Sequence, residues 1–247
     1  MSGSLPCKPL VGLLDSGIAQ HQRAAVRCAA DFTASPCEVV NGCERDVIDL
    51  LGHGSTLAQV LLDYGGNPQM AVARIFDRQL ATSASQAAAG LHWLVEQGVR
   101  VINLSFGLRI DSPPLRVACQ RALAQDVVLV ASAPAFGAPV YPSRYYGVIR
   151  VTGDVRCQSG EHSCNPSPQA DFGACVRAGH PRVVGASVAT AYVTAKIAVL
   201  LGTYPQEQLS SEVLWQHLRE SARFQLPQRP FTPIPWQRRL TWAGGVK

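Results

Sequence analysis

Three short segments of the 247-residue chain carry an aspartate, a histidine and a serine, in that order, each in a setting suited to catalysis. Asp15 precedes Ser-Gly, His53 stands between two glycines, and Ser187 follows Gly-Ala. A serine hydroxyl is a weak nucleophile at neutral pH, and a histidine can take its proton when a carboxylate fixes the tautomer of the ring. The segments therefore predict a serine hydrolase with Asp15, His53 and Ser187 as its catalytic triad.

Each of the three segments also has a purely structural interpretation. Asp15 could lie in a turn that ends a strand, His53 could be held by the backbone at the start of a helix, and Ser187 could cap a helix. No single segment excludes its structural alternative. Their combined order, spread over most of the chain, favours the catalytic interpretation.

Apolar segments rich in β-branched residues alternate with helical patterns along the chain. The apolar segments predict strands at Leu10–Asp15, Ala71–Phe76, Val99–Leu104, Val127–Ala133 and Gly147–Thr152. The helical patterns predict helices around Ser55–Leu62, Ala84–Gln97, Pro114–Ala124, Ser187–Leu201 and Ser210–Ala222. This alternation is typical of an α/β fold with a mainly parallel sheet and helices on both faces. Functional residues of such sheets gather at the carboxyl ends of the strands, where we expect the three catalytic candidates to meet.

The chain resembles the subtilisin-like serine proteases, the subtilases, over roughly residues 10–202. The resemblance is carried by Val11–Gly17, Gly52–Ala58, Val101–Gly107, Tyr141–Tyr145, Val148–Gly153 and Gly185–Val193. The last of these segments departs from the serine signature of the family at Ala186, Val188 and Ala191. The resemblance implies the subtilisin-like three-layer fold and a serine protease with the Asp–His–Ser order of subtilisin.

The resemblance also implies a substrate-binding edge at Ser105, Phe106 and Gly107, where a peptide would add as an extra strand. An ordinary strand end is the alternative for these residues. Ala131 and Ala133 would form the neighbouring wall of the substrate site. Their small side chains would leave room for a medium or large substrate side chain.

The region that should bind the oxyanion departs from the family pattern. Subtilases usually carry an asparagine whose side chain donates to the oxyanion, and the matching position here is Ala135, which has no side-chain donor. Loss of that donor in subtilisin lowers turnover by about 10²–10³. The backbone N–H of Ser187 is still available. The Ser132 hydroxyl, the Asn165 amide and a group from a partner chain are open alternatives for the second donor.

Composition and charge predict one globular domain. Hydrophobic residues make up 47% of the chain and charged residues 16%, and no linker divides the apolar pattern, so we expect a single catalytic domain over 1–247. The net charge is +5, and no acid follows Glu220. Residues 224–247 therefore form a predicted basic extension that packs on the domain or docks an acidic partner, with Trp236 and Trp242 as anchors. No nucleic-acid-binding motif accompanies the charge.

The sequence predicts a cytoplasmic protein that needs no membrane, metal or cofactor. No apolar run approaches the roughly 18 residues of a membrane span, and the N-terminus lacks the pattern of a secretory signal. Cys157, His162, Cys164 and Cys175 lie near one another in the chain, but their spacing matches none of the common zinc patterns. Cys157 and Cys164 are expected to form a loop disulfide or to stay free thiols.

The size of the chain narrows the expected function. The first predicted strand begins near residue 10, so we expect the chain to lack the N-terminal pro-region of secreted subtilases. This small form resembles dedicated processing proteases, such as the one that serves quinohemoprotein amine dehydrogenase assembly. We therefore expect a serine endopeptidase of narrow specificity that removes a leader or propeptide from a dedicated partner through an acyl-enzyme. The alternatives are a weak or inactive homologue that binds peptides, and an acyl-transfer macrocyclase.

Overall fold

The computed structural model describes residues 8–33, 47–204 and 209–226. Its centre is an eight-stranded sheet formed by β1 (Leu10–Asp15), β2 (Val26–Asp31), β3 (Gln69–Arg74), β4 (Val101–Leu104), β5 (Val128–Ser132), β6 (Ile149–Gly153), β7 (His162–Cys164) and β8 (Phe172–Ala174). The order across the sheet is β2-β3-β1-β4-β5-β6-β8-β7, and every neighbouring pair is parallel except β7 and β8. This mainly parallel sheet confirms the predicted α/β class.

Helices cover both faces of the sheet. They are α1 (His53–Tyr64), α2 (Ala84–Glu96), α3 (Pro113–Ala124), α4 (Ala186–Thr203) and α5 (Ser211–Glu220). α1, α4 and α5 share one apolar cluster with the sheet, and α2 and α3 share the other. β1 contributes Val11 and Leu13 to the first cluster and Leu10 and Leu14 to the second, because successive side chains of a strand point to opposite faces. The result is the three-layer fold that the resemblance implies.

The helix α4 lies at the centre of its face. Its 18 residues have a mean hydropathy of 1.4, so by length and composition alone it would also suit a membrane span. The expectation that no apolar run approaches that length is therefore wrong. In the fold, α4 is a core helix, and Val188, Val193 and Ile197 are fully buried. Its apolar residues point in nearly every direction because the sheet, α1 and α5 pack around it.

Three strands are absent from the sequence prediction. β2 carries an arginine and two alanines among its six residues, so it lacks the β-branched character of the strands that the sequence does predict. β7 and β8 have only three residues each, which is too short for an apolar alternation to show. β2 pairs with β3, β8 pairs with β6, and β7 pairs with β8, and a local pattern does not reveal these partners.

The first residues of the predicted C-terminal extension lie beside β7. The carbonyl oxygen of Phe224 accepts a hydrogen bond of 2.8 Å from the backbone N–H of Cys164. The Phe224 ring lies 4.7 Å from the guanidinium carbon of Arg156. Residues 227–247, including the proposed anchors Trp236 and Trp242, lie outside the described residues, so the role of the extension stays a prediction.

The cysteines of the 157–175 region are buried free thiols. Cys157, Cys164 and Cys175 form no disulfide, so the loop-disulfide alternative is wrong and the free-thiol alternative is confirmed. Burial, assisted by the charge of Asp154, raises the pKa of the Cys157 thiol to about 12. Nε2 of His162 lies 2.7 Å from the carbonyl oxygen of Leu218. Among the residues described, no three His, Cys, Asp or Glu side chains are grouped as metal ligands.

Candidate active site

The carboxylate of Asp15 and the ring of His53 are in direct contact at the carboxyl end of β1. Nδ1 of His53 lies 2.7 Å from Oδ1 of Asp15, and Asp15 is fully buried while His53 is 8% exposed. The backbone N–H and the hydroxyl of Ser16 also donate to Oδ1 of Asp15, at 2.8 and 3.2 Å. This contact assigns the proton of the neutral ring to Nδ1 and leaves Nε2 to accept a proton, as the base of a triad must.

Two glycines allow His53 to approach Asp15. A Cβ atom on Gly54 would lie 2.3 Å from the carbonyl oxygen of Gly17, so only glycine fits between the two segments. Gly52 has a φ of +75°, in the left-handed region that glycine adopts at little cost. The sequence Gly-His-Gly is therefore a steric requirement of this site.

Asp49 is a second carboxylate beside His53. Its Oδ1 accepts from the backbone N–H groups of Leu51 and Gly52, at 2.9 and 3.0 Å. Its Oδ2 accepts from the N–H and the hydroxyl of Ser55, both at 2.7 Å. Burial acts to raise the pKa of Asp49, but hydrogen bonds from Ser55 and Leu51 outweigh it, and the pKa lies below its ordinary value. Asp49 thus holds the start of α1 and places a negative charge at the positive end of that helix.

The environment of His53 strengthens it as a base. Burial acts to lower the pKa of His53, but the charge of Asp15, its hydrogen bond and the charge of Asp49 outweigh that effect. The pKa of His53 therefore lies above its ordinary value of 6.5. A general base must be neutral before it accepts a proton, so this shift moves the onset of any reaction to higher pH.

Ser187 lies at the start of α4, directly after Gly185 and Ala186. Ser187 contacts Ser105, which follows β4, and His53 contacts Asp15 at the end of the neighbouring parallel strand β1, so both lie at the carboxyl end of the sheet. The Ser187 hydroxyl lies 3.4 Å from the carbonyl oxygen of Ser105. It makes no hydrogen bond to His53 within the described part of the chain. The structure therefore joins Asp15 to His53 and places Ser187 nearby without the third contact of a triad.

A chain of buried hydrogen bonds holds the backbone of Ser187. The hydroxyl of Ser105 donates to the carbonyl oxygen of Ser187 at 3.2 Å and accepts from Nδ2 of Asn103 at 2.8 Å. Oγ1 of Thr194 lies 3.1 Å from Oδ1 of Asn103, and both side chains are fully buried. Sequence reasoning missed Asn103 and Thr194. The available signal was a polar residue inside the apolar strand β4.

The predicted substrate edge follows β4 directly. Ser105 and Phe106 are buried, Gly107 is exposed, and Leu108 pairs antiparallel with Tyr141 just beyond them. A Cβ atom on Gly107 would lie 2.6 Å from a methyl carbon of Val140, so a larger residue would push these two segments apart. The substrate-binding role of this edge stays a prediction.

The residues proposed for the substrate wall lie deeper than the sequence suggests. Ala131 and Ala133 are 0% and 2% exposed, and the N–H of Ala133 donates to the carbonyl oxygen of Val151 at 2.7 Å. They are packed within the β5–β6 region of the sheet, and Ala131 has no exposed surface that a substrate side chain could contact directly. Their role in specificity stays a prediction.

The candidate oxyanion donors lie in different places. Ala135 is exposed and follows β5. The Ser132 hydroxyl lies 3.4 Å from the carbonyl oxygen of Phe106, and Asn165 follows β7 with its N–H bonded to Asp171. In the described structure neither side chain is hydrogen-bonded to Ser187. The donor that the structure offers is the backbone N–H of Ser187, because the first N–H groups of a helix have no partner within it.

The chain matches the subtilase family over residues 8–233. It is 28% identical over 152 residues to the thermostable alkaline protease of Halalkalibacterium halodurans, covering 57% of this chain and 40% of that protein. It is 26% identical over 202 residues to the subtilisin-like protease het-Q2 of Podospora anserina, covering 68% and 53%. The chain thus spans about half or less of the length of these two relatives.

Two further relatives are covered more fully. Subtilisin DY of Bacillus licheniformis is 26% identical over 221 residues, covering 79% of this chain and 77% of that protein. Among solved structures, the S41 psychrophilic protease has the same fold with a TM-score of 0.64 at 18% identity, covering 87% of this chain and 83% of that one. The family model covers nearly the whole chain, so membership of one family accounts for both the fold and the Asp–His–Ser order of the site residues. This chain belongs to the subtilase family.

Proposed function

We propose that the chain is a serine endopeptidase in which Asp15, His53 and Ser187 act together. The observation that carries the proposal is the buried 2.7 Å contact between His53 and Asp15, at the end of the sheet where α4 presents Ser187. A short contact between a buried carboxylate and the Nδ1 side of a histidine is the arrangement that prepares Nε2 as a general base. The family of the chain supports the same chemistry.

The reaction follows from the positions of these groups. Nε2 of His53 takes the proton of Ser187 as Oγ attacks the carbonyl carbon of the peptide, and Asp15 stabilises the imidazolium that forms. The negative oxygen is stabilised by the N–H of Ser187 and the start of α4. His53 then gives its proton to the leaving amine, and a water molecule hydrolyses the acyl-enzyme by the reverse sequence of proton transfers. For the first step the Ser187 hydroxyl must rotate from Ser105 towards His53.

We extend the proposal to a narrow substrate range. Ala135 removes a donor that would stabilise the oxyanion of any peptide alike, so cleavage depends more on binding energy from a substrate that fits well. A slow protease for a dedicated leader or propeptide is consistent with that dependence. A cytoplasmic location and a partner complex belong to the same proposal, and their support is the sequence alone.

Intact-mass analysis after treatment with a fluorophosphonate probe tests the catalytic assignment. We expect one adduct on the wild type, none on Ser187→Ala, and one on the control Ser85→Ala, which changes an exposed serine of α2. An adduct that persists in Ser187→Ala would refute the role of Ser187. The absence of an adduct on folded wild-type protein would refute an activated serine in the isolated chain.

A second candidate function is peptide binding without cleavage. Two observations favour it: Ala135 lacks a donor, and the Ser187 hydroxyl contacts Ser105 in place of His53. Incubation of the protein with a proteome-derived peptide mixture separates the two functions. New peptide termini in the mixture would identify a protease, whereas retained intact peptides and no probe adduct would identify a binding module.

A further inference from the structure

The surface at Ser105–Gly107 and Ser187, where a substrate peptide would bind, is called the proposed cleft below. Four exposed arginines on the segments next to it have no ion pair to any described residue: Arg109, Arg144, Arg177 and Arg182. They lie on two segments that flank the site from different directions. The catalytic proposal uses none of them. Their positions and their missing partners suggest that the charge serves a ligand.

Arg177 and Arg182 lie on a hairpin that leads directly into the catalytic helix. Arg177 pairs antiparallel with Val184, and the N–H of Gly185 donates to the carbonyl oxygen of Val176 at 2.9 Å, two residues before the proposed nucleophile. At the other end of the hairpin, the N–H of Arg182 donates to Nδ1 of His180 at 3.2 Å.

The hairpin extends to the segment that carries His53, the proposed general base. Nε2 of His180 lies 3.7 Å from the point that a Cβ atom would occupy on Gly52, the residue before His53. The hairpin therefore extends from the start of α4 to the start of α1. A peptide bound at Ser187 would therefore lie next to the hairpin that carries Arg177 and Arg182.

Arg109 and Arg144 lie beyond the other end of the site. Arg109 follows Leu108, whose antiparallel pairing with Tyr141 closes the predicted substrate edge. The guanidinium carbon of Arg144 lies 5.8 Å from the centre of the Tyr141 ring. A peptide that adds to the edge at Ser105–Gly107 would extend towards this pair of arginines.

Asp111, on one of these segments, and two carboxylates that precede α1 or follow β3 are already engaged. Asp77 accepts from Arg74 at 2.6 Å, and Asp111 is bound by Arg116 and by the hydroxyl of Tyr145. Asp49 accepts the four hydrogen bonds that hold the start of α1. The uncompensated charge that the described segments present to an incoming peptide is therefore positive.

We propose that Arg177 and Arg182, with Arg109 and Arg144 at the opposite end of the cleft, form a basic rim that selects acidic peptides. The use of this selection in cleavage rests on the proposed protease function, whereas the binding itself does not. Charges at the rim of a binding site accelerate association and fix register, and their effect weakens as salt screens them. The substrate class would be a peptide with aspartate or glutamate on both sides of the scissile bond.

Fluorescence anisotropy with the Ser187→Ala protein tests the binding. The probes are fluorescein-labelled peptides of the same length made of glutamate, glutamine or lysine. We expect the glutamate peptide to bind most tightly and to lose affinity at high ionic strength. The double variant Arg177→Ser/Arg182→Ser should weaken it about tenfold, as should Arg109→Ser/Arg144→Ser, since exposed pairs are individually weak.

The matched control removes the same charge at the opposite end of the sheet, where the parallel strands begin. Arg27 lies near the amino end of β2, and Arg121 lies in the last turn of α3, which returns to the amino ends of the strands. Arg27→Ser/Arg121→Ser should leave the affinity for the glutamate peptide nearly unchanged. Equal losses in the control and rim variants, or equal binding of the glutamate and glutamine peptides, would overturn the proposal.

The probe adduct on wild-type protein distinguishes this inference from the proposed function. Selective glutamate binding without an adduct would support the basic rim and refute the protease. An adduct without selective glutamate binding would support the protease and refute the rim.

Discussion

The two halves of the proposed site differ in how firmly they are held. In the half that carries the base, Oδ1 of Asp15 receives His53 at 2.7 Å and two further donors from Ser16. In the half that carries the nucleophile, the Ser187 hydroxyl lies 3.4 Å from the carbonyl oxygen of Ser105, and the usual oxyanion asparagine is Ala135. The base is therefore preorganised, whereas the groups that must stabilise the transition state are incomplete.

This difference indicates where the rate of the reaction is limited. Proton transfer needs a positioned base, and that base is present in the structure. Stabilisation of the developing oxyanion is usually the largest electrostatic contribution to acyl transfer, and here it depends on fewer donors. Substitutions in the half with Asp15 and His53 should therefore remove activity, whereas substitutions in the half with Ser187 and Ala135 can also increase it.

The largest expected effect comes from Asp15→Asn. The amide presents the wrong hydrogen-bonding partner to Nδ1 of His53, which favours the wrong tautomer, and we expect the rate of probe labelling to fall about 10⁴-fold. The rate of adduct formation by mass spectrometry measures the effect. Asp63→Asn, an exposed change on α1, is the control and should keep the wild-type rate. A loss of less than tenfold in Asp15→Asn would show that the buried dyad does not support the reaction.

Ala135→Asn tests the half of the site that carries the nucleophile, and here we expect a gain of activity. An asparagine would add the missing donor, and we expect labelling and peptide cleavage to rise by up to about 10²-fold. Ala138→Asn places the same side chain at another exposed position after β5 and should change neither rate. An unchanged rate in Ala135→Asn would mean that another group already occupies the oxyanion position.

Thr194→Val tests the buried network behind Ser187. Removal of the hydroxyl takes a donor from the fully buried Asn103, and we expect the free energy of unfolding to fall by about 1–3 kcal/mol in urea denaturation. The Thr194 hydroxyl also lies 2.9 Å from the carbonyl oxygen of Thr190, four residues earlier. The control is Thr203→Val, because the Thr203 hydroxyl makes the same kind of contact with the carbonyl oxygen of Val199, at 2.8 Å, at the exposed end of α4.

The activity of the same two variants completes the test. Since the network also positions Ser187, labelling of Thr194→Val should be slower under conditions in which the variant is fully folded. Equal stability losses in Thr194→Val and Thr203→Val would show that burial adds nothing to this contact.

Asp49→Asn should give the smallest effect, a shift in pH dependence. Neutral His53 is the active form, so the labelling rate rises as pH increases through the pKa of His53, with a wild-type midpoint above 6.5. Loss of the Asp49 charge should lower that pKa and move the midpoint to lower pH. Ser55→Ala keeps the charge and should keep the midpoint. A midpoint that moves upward in Asp49→Asn would contradict the electrostatic role of Asp49.

Much of the fold could be predicted because its elements are locally encoded. The strand Leu10–Asp15 and the start of α2 at Ala84 coincide with the prediction, and the other predicted elements differ only at their ends. Apolar runs and helical patterns report burial on the scale of one element, and these patterns are strong in the central strands. The short edge strands β7 and β8 lack such a pattern and depend on their neighbours.

The amino-acid sequence alone shows which residue types are available for the chemistry and in which elements they lie. Asp15, His53 with its two glycines, and Ser187 were accessible in this way, because each lies in a short segment whose types suit its role. The departure at Ala135 was accessible for the same reason. The free state of Cys157 and Cys164 was not, since a pairing depends on geometry that spacing does not contain.

How these groups are held depends instead on the folded arrangement of the chain. The contact between Asn103 and Thr194 joins residues 91 positions apart, and the contact between the Gly54 N–H and the Ser16 hydroxyl joins residues 38 positions apart. The basic rim likewise depends on which arginines have no carboxylate partner among the described residues. Hydrogen bonds and ion pairs act over a few ångströms, so their partners are chosen by the packing of distant segments, which no local pattern in the chain records.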